Sequence, residues 1–208
     1  MKLAGAIFDF DGTLFDSMSI WDTVGEDYLR SLGRPPEEGL RNILKPLSLA
    51  QSARYLKERY SLPLSEAQIM ESVNKTVENF YFHTVQPKPG VPEFLEQLRR
   101  QGVKMCIATA TDRYQVEAAL KRCGLDGYFC EIFTCTGVGH GKDEPDIYEA
   151  ALAYLGTAKS ETLVFEDALH AIRTAKKAGF SVAAVFDTHE PNQKEIQALA
   201  DFFLKSFQ

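Results

Sequence analysis

The chain has 208 residues, of which 45% are hydrophobic and 25% charged, as in a globular protein with one large domain or a core with a smaller insertion. Its net charge of −6 argues against a nucleic-acid or anionic-membrane surface, although a local cation could still hold an anionic substrate. No apolar run approaches the roughly 18 residues that a membrane-spanning helix needs, so we expect neither nucleic acid nor a membrane as a partner.

The four cysteines stand at Cys106, Cys123, Cys130 and Cys135, and no two of them form a C-x-x-C pair. A zinc site is therefore not expected. Cys106 lies inside an apolar strand pattern, which places it in the predicted core. The residues before the first strand do not have the layout of a secretory signal, so we expect reduced thiols in a cytoplasmic protein.

The first predicted element is an apolar strand that begins at Ala6 and ends in Asp9, Asp11 and Gly12. Alternate side chains of a strand point to the same side, so the two carboxylates can converge beyond its end. Adjacent carboxylates repel each other unless a cation or a shared proton lies between them. Thr13 adds a hydroxyl and a backbone N–H, which makes the segment suitable for magnesium and a phosphate. The alternative is a simple Asp-Gly turn after a strand.

The next part of the chain, from about residue 17 to 85, is predicted to be all helical. Apolar residues at helical spacing indicate helices over residues 17–32, 49–60 and 65–81. Ser65 followed by Gln68 has the pattern of a capping box.

After the proline-rich segment at residues 87–92, strands and helices alternate. Helices are predicted over 93–101, 114–123, 146–155, 169–178 and 193–203, and strands over 103–108, 131–134, 162–165 and 182–186. This alternation predicts an α/β fold with a parallel sheet. The expected domains are a core of residues 1–15 with 88–208 and a helical cap of residues 16–87. The cap follows the first strand, where ligands bind such sheets, and could act as a lid.

The later strand ends carry further polar residues. Thr109 can donate its hydroxyl to a phosphate, and the N–H groups from Ala110 onward open a helix, where anions bind. The alternative is that Thr111 or Asp112 only caps that helix.

Two more groups of polar residues lie near helix starts. Lys142 stands in a glycine-flanked loop and could neutralise a transferring phosphoryl group, although most lysines are solvated surface residues. His140 beside it is a weaker candidate for substrate contact. Glu166 and Asp167 follow an apolar strand, as Asp9 and Asp11 do, and buried carboxylates of this kind need a cation or several donors. The alternative is that Asp167 only caps the helix that follows.

These residues occur in the order used by the haloacid dehalogenase (HAD) superfamily, which the chain resembles over its whole length. DFDGTL resembles its first motif, GKDEPDIY its lysine loop, and VFEDALHAIRTAKKAG its acidic motif and the following helix. The inserted helical segment resembles the subgroup with a helical cap, which includes β-phosphoglucomutase and many sugar-phosphate phosphatases. The resemblance implies a Rossmann-like core with an inserted cap.

The resemblance also implies a mechanism. Asp9 would attack phosphorus and form an aspartyl-phosphate, and Asp11 would serve as general acid and then general base. Mg²⁺ would be held by the carboxylates of Asp9 and Asp167 and the backbone carbonyl of Asp11, with Glu166 acting indirectly or through water. The phosphate oxygens would be held by Thr109, Lys142 and the N–H groups around Gly12, Thr13 and Ala110.

The cap departs from the mutase pattern. Trp21 and Leu49 stand where β-phosphoglucomutase has a histidine and a phosphate-binding arginine, whereas Lys45 matches a cap lysine. Trp21 would suit stacking on a sugar, or it could be a core residue of the cap. Arg41 and Lys45 are candidates for contact with a polar substrate tail.

The sequence thus predicts a magnesium-dependent phosphatase acting on a small phosphorylated metabolite, such as a sugar phosphate. A phosphosugar mutase is the alternative enzyme, and a non-catalytic binding or regulatory protein is the alternative from another class. We expect a monomer or a weak homodimer.

Overall fold

A parallel sheet of six strands forms the centre of the α/β part of the chain within the described residues, which are 3–44, 47 and 49–208 of the computed structural model. The strand order is β3-β2-β1-β4-β5-β6. The strands are β1 (Gly5–Phe8), β2 (Lys104–Thr109), β3 (Ile132–Thr134), β4 (Thr162–Glu166), β5 (Ser181–Val185) and β6 (Phe202–Leu204). The predicted α/β fold with a parallel sheet is confirmed.

The strand order reverses at β1, which pairs with β2 on one side and with β4 on the other. Phe8, the last residue of β1, lies beside Ile107 of β2 and Phe165 of β4. In parallel sheets the point of reversal opens a crevice at the carboxyl ends of the strands. The residues that follow β1, β2 and β4 therefore share one crevice.

Helices cover both faces of this sheet. They are α5 (Val91–Arg100), α6 (Arg113–Arg122), α7 (Cys135–Val138), α8 (Asp146–Leu155), α9 (Leu169–Lys177) and α10 (Gln193–Leu199). On one face Ile7 and Val164 belong to a buried cluster with Ile147 of α8. On the other face Phe8 and Phe165 stack with ring centroids 4.3 Å apart, and Phe94 of α5 packs edge-on against both. Central parallel strands buried on both faces explain the continuous apolar runs in the sequence.

The chain divides into two compact units, Met1–Ser17 with Val85–Gln208 and Met18–Thr84. The second unit contains α1 (Ser19–Ser31), α2 (Leu40–Leu44), α3 (Leu49–Arg59) and α4 (Glu66–His83), and none of its described residues forms a strand. Helix α4 packs against α1 and α3. The capping box predicted at Ser65 and Gln68 is present, with the Ser65 hydroxyl and the Gln68 side chain each bonding the other's backbone N–H.

The last predicted helix was too long. Helix α10 ends at Leu199, and Phe202–Leu204 form β6 at the edge of the sheet, whereas the sequence pattern predicted helix as far as residue 203. Edge strands are short and carry exposed side chains, so they lack the long apolar run of a central strand. Cys106 is buried in β2 as predicted, and all four cysteines are free thiols. The helices of the described residues include none with both the length and the apolar character needed to span a bilayer.

Candidate active site

The turn after β1 brings Asp9 to the carboxyl edge of the sheet. The Asp9 N–H continues the ladder by donating to Phe165 O at 2.9 Å, and the chain then folds back as Phe15 N–H donates to Phe10 O. Gly12 has a φ of +75° within this turn, a conformation that costs side-chain-bearing residues energy. Its N–H donates to Phe15 O at 2.9 Å. The expectation that this N–H holds a phosphate therefore disagrees with the structure, in which the turn itself uses it.

Lys142 is buried between two carboxylates. Its Nζ donates to Asp9 Oδ1 and to Glu166 Oε1, the latter at 2.5 Å, and only 7% of its side chain is exposed. The alternative of a solvated surface lysine is therefore wrong. Burial lowers the pKa of Lys142, but Asp9 and Glu166 outweigh this effect and hold the pKa well above its usual value, so the amine stays charged.

Glu166 has hydrogen bonds to both of its carboxylate oxygens. Tyr148 Oη donates to the same Oε1 as Lys142 at 3.1 Å, and the N–H groups of Asp167 and Ala168 donate to Oε2 at 3.0 and 3.2 Å. Only 1% of the residue is exposed. These four bonds fix Glu166 as a support for Lys142.

Asp167 lies beside Gly12 and is held by Thr13. Thr13 Oγ1 donates to Asp167 Oδ1 at 2.8 Å, so this hydroxyl is directed at a carboxylate and is fully buried. The N-cap of α9 is Ala168, so the alternative that Asp167 only caps this helix is wrong. Burial, followed by the charge of Glu166, raises the pKa of Asp167 to about 8. Burial also raises the pKa of Asp9, and Glu166, Asp167 and Asp11 add to the rise against the opposing effect of Lys142.

The acidic cluster fits a hard divalent cation. One carboxylate oxygen from each of Asp9, Glu166 and Asp167 lies within 4.8 Å of the others, and all three residues are buried. They face one ammonium group, that of Lys142, so the fully ionised cluster has two negative charges in excess. No donor among the described residues bonds Oδ2 of Asp9 or Oδ2 of Asp167, and neither oxygen is fully enclosed. Accessible carboxylate oxygens with excess negative charge are what Mg²⁺ prefers.

The end of β2 supplies hydroxyl groups. Thr109 is fully buried, and its Oγ1 accepts the N–H of Thr111 at 3.0 Å, which leaves its own proton available for a phosphate. Ala110 between them is exposed. Thr111 Oγ1 donates to Asp11 Oδ2 at 2.5 Å, and Ser17 Oγ donates to Asp11 Oδ1 at 2.6 Å. The sequence predictions missed Thr111 and Ser17 as site residues. The one available signal was a second hydroxyl two residues after the motif threonine.

Three of the remaining candidates, Trp21, Arg41 and His140, have exposed side chains. Trp21 on α1 is 53% exposed, so the alternative of a buried cap-core residue is wrong. Arg41 on α2 forms an ion pair with Asp22 of α1. The exposed His140 pairs through Nδ1 with Asp146 Oδ1 at 3.3 Å. Lys45 lies outside the described residues.

Comparisons with known proteins agree with this geometry. A family model described as haloacid dehalogenase-like hydrolase matches residues 6–185. The phosphorylated carbohydrates phosphatase of Thermotoga maritima is 27% identical over 177 residues, which cover 85% of this chain and 82% of that protein. Hexitol phosphatase A of Escherichia coli is 30% identical over 188 residues, covering 89% and 84%. A crystal structure of a Thermotoga maritima protein assigned as a beta-phosphoglucomutase has a TM-score of 0.88 at 25% identity, covering 99% of this chain and 95% of that one.

The family model spans most of the chain, including all the strand ends that form the acidic cluster. The match also extends across the helical unit at residues 18–84. The resemblance predicted from the motifs is thereby confirmed: the chain belongs to the haloacid dehalogenase-like hydrolase family.

Proposed function

We propose that this protein is a magnesium-dependent phosphatase that hydrolyses a small phosphomonoester through an aspartyl-phosphate on Asp9. The observation that carries the proposal is the buried Lys142 ammonium bonded to Asp9 beside Asp167, in a cluster with three carboxyl groups for one ammonium. A structural ion pair would need only one carboxylate for each lysine. A cation and a phosphate together account for the additional acidic groups and for the oxygens without donors.

The metal would be held by the carboxylates of Asp9 and Asp167 and by the backbone carbonyl of Asp11. Glu166 already has four donors, which favours a role through Lys142 or a water rather than a direct bond to the metal. When bound, magnesium neutralises charge on the carboxylates and on the phosphoryl oxygens.

In the first step Asp9 acts as the nucleophile. Lys142 bonds Oδ1 of Asp9, so Oδ2 is the oxygen left to attack phosphorus in line. Asp11 gives a proton to the leaving oxygen as the bond from phosphorus to that oxygen breaks. Lys142 and the Thr109 hydroxyl stabilise the charge that spreads over the equatorial oxygens.

In the second step Asp11 takes a proton from water, and the resulting oxygen attacks the phosphorus of the aspartyl-phosphate. The bond between Asp9 and phosphorus breaks, inorganic phosphate leaves, and the Asp9 carboxylate is regenerated. The two displacements use the same donors, because the transferred group occupies the same place in both.

We propose a sugar-like or otherwise polar substrate. The support comes from relatives named as phosphatases of phosphorylated carbohydrates and of hexitol phosphates, and from the exposed ring of Trp21. An indole face can stack on the apolar face of a sugar. The helical unit would then act as the cap that selects the substrate.

A phosphosugar mutase is the second candidate, favoured by the similarity to the structure assigned as a beta-phosphoglucomutase. A mutase must bind a bisphosphate intermediate at both ends, and Leu49 replaces the expected distal arginine. The hydrolase is therefore the stronger proposal.

The test is phosphate release from a panel of phosphorylated metabolites, with magnesium and with EDTA, for wild type, Asp9→Asn and the control Asp16→Asn. Asp16 is an exposed acid seven residues along the chain. We expect magnesium-dependent release that Asp9→Asn abolishes and Asp16→Asn leaves intact. Release that survives EDTA or Asp9→Asn would overturn the proposal. Conversion of hexose 1-phosphates only with a bisphosphate primer would indicate the mutase, and no turnover with intact magnesium binding would indicate a binding protein.

A further inference from the structure

The hydroxyl of Thr111 is not used for helix capping. The N-cap of α6 is Asp112, whose side chain makes no cap bond, and Thr111 precedes it. Thr111 Oγ1 instead donates to Asp11 Oδ2 at 2.5 Å, across 100 positions of sequence. This distance is at the short end of the range for O–H···O hydrogen bonds.

Each carboxyl oxygen of Asp11 accepts a hydrogen bond from a hydroxyl group. Ser17 Oγ bonds Oδ1 at 2.6 Å while Thr111 bonds Oδ2, so both sides of the carboxyl plane are fixed. Asp11 is only partly buried, and a carboxylate with one donor could rotate about its side-chain torsion. Two donors on opposite oxygens restrict that rotation.

Thr111 also contacts the other functional residue of its loop. Its N–H donates to Thr109 Oγ1 at 3.0 Å. Thr111 therefore contacts both residues: its N–H occupies a lone pair of the Thr109 hydroxyl, and its own hydroxyl orients the Asp11 carboxyl. The backbone bond survives any side-chain substitution, so the two effects can be separated by mutation.

We propose that Thr111 is a positioning residue that orients the Asp11 carboxyl for proton transfer to the leaving oxygen. The inference rests on the proposed phosphatase function. As Asp9 bonds to phosphorus and the bond to the leaving oxygen breaks, Asp11 delivers one proton to that oxygen. General acid catalysis contributes about 10²–10⁴-fold and depends on placement within hydrogen-bond reach.

The dependence on the leaving group separates this role from substrate binding. An alkoxide leaving group needs the proton, whereas p-nitrophenolate leaves without one. Misplacing Asp11 should therefore slow the first step for an alkyl phosphate and spare it for p-nitrophenyl phosphate. A residue that only binds substrate or supports the fold has no reason to discriminate in this way.

The experiment measures single-turnover leaving-group release from glucose 6-phosphate and p-nitrophenyl phosphate, with magnesium, for wild type, Thr111→Val, Thr111→Ala and Thr111→Ser. Single turnover isolates the first step, because Asp11 acts as base in the second step for both probes. We expect Val and Ala to slow the alkyl probe by about tenfold to a hundredfold and the aryl probe by less than about threefold, with Ser restoring both.

Equal slowing of both probes would overturn the positioning role while leaving the phosphatase intact, and so would slowing that disappears at saturating enzyme concentration. So would an unchanged rate with the alkyl probe. Two variants guard against a folding artefact at this half-buried position, and thermal unfolding of each is the check. If glucose 6-phosphate is not turned over, the alkyl phosphate of the metabolite panel that wild type hydrolyses takes its place. If wild type hydrolyses no member of the panel and not p-nitrophenyl phosphate, the proposed function fails and this inference fails with it.

Discussion

A methyl group on Gly12 would lie 2.8 Å from Cγ of Asp167, closer than real Cβ contacts. Gly12 is therefore glycine for two reasons, since its φ of +75° also disfavours any side chain. Because Gly12 has no side chain, the turn after β1 packs directly against Asp167, which follows β4. The turn after β1 and the acidic residues after β4 can therefore pack this closely only because residue 12 has no Cβ.

Gly12→Ala should damage metal binding beyond its cost to the fold. The matched control is Gly102→Ala, because Gly102 has the same φ of +75° and no atom within 4 Å of an added Cβ. Both substitutions should cost about 1–2 kcal/mol of unfolding free energy from the left-handed backbone. Only Gly12→Ala should weaken magnesium binding, measured by calorimetry, by tenfold or more. Equal magnesium affinity in the two variants would mean that Asp167 does not bind the metal.

Lys142→Met should destabilise the protein at neutral pH. The substitution leaves Asp9 and Glu166 buried without their cation, which costs about 3–5 kcal/mol. The exposed Lys177→Met on α9 is the control and should change stability by less than about 1 kcal/mol. Urea unfolding at several pH values is the measurement. The deficit should shrink at lower pH as the carboxylates take up protons, and a loss independent of pH would contradict this account.

Magnesium binding should release protons at neutral pH. Because burial raises the pKa of Asp9, and that of Asp167 to about 8, the metal-free cluster retains protons that a bound cation displaces. When the pKa of an acid is higher in the folded state than in the unfolded state, the fold loses stability as the pH rises from the unfolded-state pKa to the folded-state pKa. The melting temperature without metal should therefore fall on approach to pH 8, and magnesium should restore it.

Calorimetry in buffers of different ionisation enthalpy measures the released protons directly. The number should decline toward zero well above pH 8, where the acids are already ionised. A binding enthalpy independent of the buffer at pH 7 would show that the carboxylates are ionised before metal binds. Asp9→Asn should reduce the number of protons released.

Asp187→Asn should lower stability in a pH-dependent manner. Lys88 Nζ bonds Asp187 Oδ2 at 2.8 Å, and the His189 N–H bonds Oδ1 at 2.8 Å. Burial opposes ionisation, but these bonds outweigh it and lower the pKa of Asp187. A lowered pKa stabilises the fold above the unfolded value of about 4, and the stabilisation is lost as the pH falls through the folded value.

The expected cost of Asp187→Asn at pH 7 is about 3–5 kcal/mol, because the Lys88 cation is left largely buried without its partner. The surface variant Glu66→Gln, which removes the exposed pair with Arg54, should cost less than about 1 kcal/mol. Unfolding at pH 7 and near pH 3 measures both. A cost that is the same at the two pH values would refute the ion-pair explanation.

Much of the fold could be predicted from local patterns. The central strands are buried on both faces and read as apolar runs, and glycines such as Gly156 end helices such as α8 where predicted. The short β6 could not be predicted, because pairing at a sheet edge depends on a neighbouring strand rather than on its own sequence.

The candidate site likewise contains residues that the sequence predicted and contacts that it could not predict. Asp9 and Asp167 were predicted because strand ends of a parallel sheet converge, and Lys142 from its glycine-flanked loop before a helix. The structure places the three residues together. The bond from Thr111 to Asp11 spans 100 positions and depends on the direction of one hydroxyl, which no spacing rule encodes. The use of the Gly12 N–H within its own turn likewise depends on backbone geometry.

The aspartyl-phosphate on Asp9 is tested most directly by peptide mass spectrometry of Asp11→Asn, quenched in acid after mixing with magnesium and p-nitrophenyl phosphate. This leaving group needs no proton, so the first step proceeds, while the loss of the base slows water attack in the second. We expect the peptide containing Asp9 to gain the mass of one HPO₃, and we expect Asp9→Asn in the same background to abolish the gain. An unmodified peptide while phosphate is still released at the wild-type rate would contradict the aspartyl-phosphate mechanism.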